Sequence, residues 1–190
     1  MTLDDPVKTS VERHPFRWRI LHWIMAALVL TTIPIGLSMA ARADANIFDT
    51  VTNTFYAMHK AIGFTILVLI LVRIIVRARS AAPPYPDGVS RSVIMAARSV
   101  HYLLYGLLIV TPILGWAGVT AYPALGIAGG ISLPPLPFVP RDQALAEQLF
   151  EVHGFFAITL GIVALGHIAA ALRHLVIVRD GIFQRMWFGQ

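Results

Sequence analysis

Four apolar stretches, at about residues 16–40, 56–78, 99–120 and 150–175, constrain this chain more than any other feature. Each supplies about the 20 residues that cross a hydrocarbon core at 1.5 Å of rise per residue, so each is expected to be a transmembrane helix. Composition agrees, with 57% of the 190 residues hydrophobic, 13% charged and a mean hydropathy of +0.71. A water-soluble enzyme carries about 25% charged residues and is excluded. The first stretch follows a polar N-terminal segment and lacks a small-residue cleavage site, so it is expected to stay as a helix and not to be removed as a signal peptide. The expected fold is all-α: an integral membrane four-helix bundle, with residues 1–190 forming a single membrane domain.

Orientation follows from lysine and arginine. The N-terminus, the connection between the second and third stretches and the C-terminus hold Lys8, Arg13, Arg17, Arg19, Arg73, Arg77, Arg79, Arg91, Arg98, Arg173, Arg179 and Arg185, which is twelve of fifteen. The other side has Arg42, Lys60 and Arg141. Positive loops stay in the cytoplasm, so both termini are expected there, in a multi-pass membrane protein. Five acidic residues (Asp4, Asp5, Glu12, Asp87 and Asp180) against those twelve leave the cytoplasmic side at +7; five against three leave the outer side at −2. The basic excess thus faces membrane lipid, where anionic headgroups attract it, and nucleic acid is not an expected partner.

Cysteine is absent, which excludes disulfides, thiolate metal sites and covalently attached c-type haem. Any redox cofactor must be held by histidine. Six of the seven histidines lie within or at the ends of the apolar stretches, where an ionisable residue is a functional hypothesis by default. His153 and His167, fourteen residues apart, fall within 40° of the same helix face and about 21 Å apart along the axis. One helix therefore presents two ligands, one in each leaflet. Depth then selects partners, His22 of the first helix for His167 and His59 of the second for His153. Two facing imidazoles with no thiolate or carboxylate nearby suit a low-spin haem iron better than zinc, which takes three or four protein ligands at one depth. The expected cofactors are two non-covalent haem groups.

Other residues are secondary candidates. Haem propionates need cations near the membrane surfaces, and Arg73, on the His59 face, and Lys60, beside His59, are placed to supply them. Gly36 lies fourteen residues from His22, at the depth of the outer pair. His101 competes with His22 as the inner ligand. His174, on the His167 face near the cytoplasmic exit, is a candidate hydrogen-bond donor to a quinone carbonyl or a propionate, or else a hydrated interfacial residue. His14, before Pro15, reads as a solvated surface residue. Asp142 is a candidate cap for the fourth helix. No phosphate loop, nucleophile elbow or acidic pair occurs at a usable spacing, which argues against nucleotide or hydrolytic chemistry.

The residues that carry these expectations resemble the bacterial cytochrome b561 family. They are Arg19-Ile20-Leu21-His22-Trp23, Met58-His59-Lys60-Ala61-Ile62-Gly63 with Leu71-Val72-Arg73, His101 ahead of Thr111-Pro112-Ile113-Leu114-Gly115, and His153-Gly154 with Gly166-His167-Ile168-Ala169-Ala170-Ala171. The resemblance covers nearly the whole chain. It implies b-type haems on His22 with His167 and on His59 with His153, and electron exchange with the quinone pool. It also implies an activity, superoxide oxidase, in which superoxide outside donates an electron and ubiquinone is reduced. A second expectation is a non-catalytic subunit that relays electrons between quinone and a periplasmic redox protein. A third is a haem-free membrane protein whose histidines handle protons or a divalent metal.

Overall fold

The computed structural model describes residues 12–86 and 88–189. Lys8, Asp4, Asp5 and Asp87 of the charge balance lie outside the described residues. Four long helices follow one another: α1 (Phe16–Asp44), α2 (Thr50–Ala78), α3 (Arg91–Ala121) and α4 (Gln143–Arg173). Each is long and apolar enough to cross a membrane. The helices outrun the apolar stretches because polar caps start them early. Asp49 accepts from the Thr52 backbone N–H (2.9 Å), Ser90 from Val93 (3.4 Å) and Asp142 from Leu145 (2.9 Å). Each cap satisfies a backbone donor that the first turn otherwise leaves orphaned. Pro83, Pro84 and Pro86 keep the segment between α2 and α3 from being helical.

The helices pack as two hairpins, α1 on α2 and α3 on α4, joined through α2 and α3. Met25, Leu67 and Ile70 form the buried core, flanked by Leu108, Ile109 and Trp116 of α3. Ile66 and Ile70, on the His59 face of α2, and Val29, on the His22 face of α1, are all buried. α1 and α4 barely touch, and a groove of about 180 Å³ lined by Ile33, Pro34, Gly161 and Ala164 runs between them. Phe155, Ile158, Ile162 and Leu165 of α4 stay exposed at helical spacing, a stripe suited to lipid contact.

The bundle has two ends, called here the terminal face, with both chain ends and the α2–α3 connection, and the loop face, with the α1–α2 and α3–α4 connections. At the loop face Arg42 pairs with Asp49 (2.6 Å) and donates to Thr52 Oγ1 (2.7 Å). The α3–α4 connection is tied down by Trp116 Nε1 donating to Pro134 O (2.7 Å) and the Leu136 N–H donating to Thr120 Oγ1 (3.0 Å). At the terminal face α4 runs into a π-turn, His174–Val178, and Arg179 turns left-handed at φ 57°. The C-terminal segment then returns to α1. His14 N–H donates to Arg185 O (3.1 Å), Trp23 Nε1 to Met186 O (2.8 Å) and Arg19 to Trp187 O (2.9 Å).

Candidate functional site

Two sets of imidazoles meet inside this bundle. Nearer the loop face, His59 of α2 and His153 of α4 face each other with ring centroids 5.9 Å apart and planes at 85°. Each is held by the other helix of its own hairpin. His59 Nδ1 lies 3.2 Å from Thr32 O and 3.2 Å from Thr32 Oγ1 of α1, and His153 Nδ1 lies 2.8 Å from Thr111 O of α3. A carbonyl oxygen only accepts, so the ring proton sits on Nδ1 in both histidines and the Nε2 lone pair is free for a metal. Imidazole ligands are normally oriented by a bond of this kind.

Nearer the terminal face three imidazoles gather. His22 of α1 and His167 of α4 have centroids 6.1 Å apart with planes at 78°. His101 of α3 lies closer to His167, at 5.3 Å and 65°. Among the described residues none of these three rings makes a hydrogen bond. Arg73 of α2 donates to Trp18 O (3.0 Å), one turn before His22. Arg77 donates to Tyr105 Oη (3.0 Å) and stacks over the Trp18 ring at 5.6 Å.

These distances test a cofactor. Two imidazole nitrogens on opposite sides of one metal ion, each bonded at about 2.0 Å, put the ring centroids about 6 Å apart once the ring radii are added. The 5.9 and 6.1 Å pairs fit that spacing, and the 5.3 Å His101–His167 pair is too close. Among the described residues no three histidine or carboxylate side chains converge to hold a bare ion. A planar macrocycle supplying its own equatorial ligands, such as haem, fits two facing imidazoles.

The profile of the prokaryotic cytochrome b561 family matches residues 13–189. The chain belongs to this family. It is similar to a probable superoxide oxidase, CybB, of Yersinia pestis, at 31% identity over 68% of this chain and 72% of that protein. It is also similar to cytochrome b561 homolog 2 of Escherichia coli, at 26% identity over 92% of this chain and 91% of that one. This b561 cytochrome is therefore a multi-pass bacterial membrane protein of an electron-transfer family that binds b-type haem.

The remaining candidates are placed as follows. Lys60 Nζ donates to Ala124 O (2.7 Å), bridging α2 to the α3–α4 connection one residue from His59. His174 Nδ1 hydrogen-bonds Asp180 Oδ2 (2.7 Å), at the end of α4 and beyond the histidine cluster. His14 corrects the sequence reading. It is only partly exposed: it stacks on Trp18, with centroids 5.1 Å apart and planes at 19°, and its Nδ1 is buried. Burial first, then the charges of Arg185, Arg77, Arg73 and Arg19, lower its pKa to about 4. Sequence reasoning assigned no role to Thr32 or to the buried Arg185, whose guanidinium donates to Pro83 O. The signal for Thr32 was its spacing, four residues before Gly36 and at the depth of His59. Arg185 left none, because its partner lies 102 residues away.

Proposed function

We propose that this cytochrome holds two b-type haems, one between His59 and His153 and one between His22 and His167, and passes electrons from superoxide at the loop face to ubiquinone. The observation behind it is the pair of imidazole couples at 5.9 and 6.1 Å, both presented by α4 at different depths. When bound, haem iron supplies one-electron chemistry. The chain supplies the rest. Four imidazoles fix the two centres, the apolar helices exclude water between them, and Arg73 and Lys60 neutralise propionates. His174, with Asp180 on its Nδ1, would need its second ring proton to donate a hydrogen bond to a quinone carbonyl or a propionate. His101 stands beside the terminal-face pair as a spare imidazole. The charge distribution supports a terminal face in the cytoplasm, and the reading takes the chain as one unit of the bacterial inner membrane.

The first test is a pyridine haemochrome assay with a redox titration. Two b-type haems per chain with two resolved potentials are expected; a spectrum without b-type Soret and α bands would sink the reading. Superoxide given to the purified protein should then reduce the haems, and added ubiquinone should reoxidise them.

A second reading, a relay between quinone and a periplasmic redox protein, draws on the loop-face charges. Arg42 is already neutralised by Asp49, which leaves Lys60 and Arg141 as the other basic residues of that side to attract a small anion. Protein that stays oxidised with superoxide, yet is reduced by a periplasmic donor protein, would favour the relay.

A further inference from the structure

The loop-face histidines rest on two copies of one local arrangement. In α1 it is Thr32-Ile33-Pro34-Ile35-Gly36 and in α3 Thr111-Pro112-Ile113-Leu114-Gly115: threonine, then glycine four residues on, with a proline between. Residues four apart share a helix face, so the threonine carbonyl and the glycine form one surface. The imidazole lies on that surface. A Cβ at Gly36 would stand 2.9 Å from His59 Cε1, and one at Gly115 would stand 3.0 Å from both Cε1 and Nδ1 of His153. A side chain there must displace the ring from its place against the carbonyl. By contrast, a Cβ at Gly63, Gly106 or Gly154 would meet nothing within 4 Å.

We propose that Thr32–Gly36 and Thr111–Gly115 are ligand seats, which lock His59 and His153 as Nδ1–H tautomers and hold the loop-face haem at a lower reduction potential than the terminal-face haem. The proposal rests on the ligand assignment above. An Nδ1–H bonded to a carbonyl makes the imidazole a stronger donor, which favours ferric over ferrous iron. Both loop-face ligands have such a bond. The terminal-face rings have none among the described residues, and the Arg73 cation reaches the turn before His22, which favours the less positive ferrous state. With haem bound, that ordering would favour the one-electron state in which the loop-face iron is ferric and the terminal-face iron ferrous, the electron lost by the first being the one gained by the second. No bond forms or breaks and no proton moves. The seats give the membrane crossing its direction.

The test uses the purified, haem-loaded protein and reads redox titrations with low-temperature EPR of the ferric state. Nearly perpendicular imidazole planes give a strongly anisotropic low-spin signal, so a displaced ring is visible directly. His59→Ala identifies which potential and signal belong to the loop face. Gly36→Ala and Gly115→Ala should raise that potential by at least tenfold in the ferrous-to-ferric ratio, about 59 mV for one electron, and shrink its anisotropy. The terminal-face signal should not move. Loss of the loop-face haem alone in either variant also supports the seats. Thr32→Val, which removes only the Oγ1 acceptor at similar volume, should give a smaller rise. Gly106→Ala, nine residues from Gly115 and so about 180° around α3, should match the parent protein. Unchanged potentials and spectra in both glycine variants and Thr32→Val would overturn the seats while leaving the ligands intact. A loop-face potential above the terminal-face one in the parent would overturn the ordering. If His59→Ala keeps both haems, the ligand assignment itself has failed.

Discussion

The two histidine sites are built by opposite means. At the loop face every ring nitrogen that can donate is bonded to a backbone carbonyl, and two glycines clear the space the rings occupy. Capped helix starts and tied loops surround this pair, including Arg42–Asp49 and Lys60 to Ala124 O. At the terminal face three rings crowd together without hydrogen bonds among the described residues, and the scaffold around them is side chains: Arg73, Arg77, Trp18 and a returning C-terminal segment. Backbone seats preorganise one pair for a single ligand geometry. The other set keeps a choice of imidazole, and its shape depends on contacts that long side chains can remake.

Ligand deletion is the largest way to break this comparison. His59→Ala and His153→Ala should each lose the loop-face haem completely, because among the described residues no other imidazole ring is paired with either of them. His167→Ala should lose the terminal-face haem as completely, since both neighbouring rings face it. His22→Ala should lose most of the terminal-face haem, because His101 stands too close to His167 to take its place without moving, and His22→Ala with His101→Ala should abolish what remains. Haem-to-protein ratios by pyridine haemochrome read all of these. If His101→Ala alone loses a haem while His22→Ala keeps both, His101 and not His22 is the resident ligand.

How much of this was legible in the sequence differs between the same two regions. The four spans and the match of His59 to His153 came from apolar length and helical period, which are local properties that a membrane enforces strictly. Gly36 was readable at the depth of His59, and the cap at Asp142 from its place before a helix. The seats were half legible: Thr111 to Gly115 stood out as a motif, but that a Thr111 carbonyl meets a ring 42 residues away belongs to packing. The terminal face was least legible. His14 looked solvated because it sits in a polar segment, yet stacking on Trp18 and the return of Arg185 and Met186 half-bury it, and nothing local to residue 14 encodes a segment at residue 185.

That return segment offers a smaller test, confined to one face. Trp23→Phe keeps the ring but removes the indole N–H donated to Met186 O. The loss of one partly buried hydrogen bond costs about 1 kcal/mol. Because it falls on the segment rather than on a helix, it should appear as faster hydrogen exchange over Phe183–Trp187, roughly fivefold at that energy. Exchange at the α1–α2 and α3–α4 connections should not change. Equal acceleration at both faces would show that the two ends of the bundle are coupled and that the contrast between them is overstated.

The smallest expected effect is a pH response at His14. In the folded chain its ring titrates at about 4, and exposed histidine titrates near 6.5. Between those values the unfolded segment binds more protons than the folded one, so folding of this region is fully supported above pH 6.5 and weakens as pH falls toward 4. The cause is physical crowding: protonation adds a cation to a half-buried ring already beside Arg185, Arg77, Arg73 and Arg19. Hydrogen exchange at Phe183–Trp187 should therefore speed up on acidification through that window while the loop face stays constant. His14→Phe keeps an aromatic ring on Trp18 but cannot charge, so it should flatten the response. A response that persists unchanged in His14→Phe would assign it to another titrating group, and the His14 stack would then be a packing contact with no hold on the terminal face.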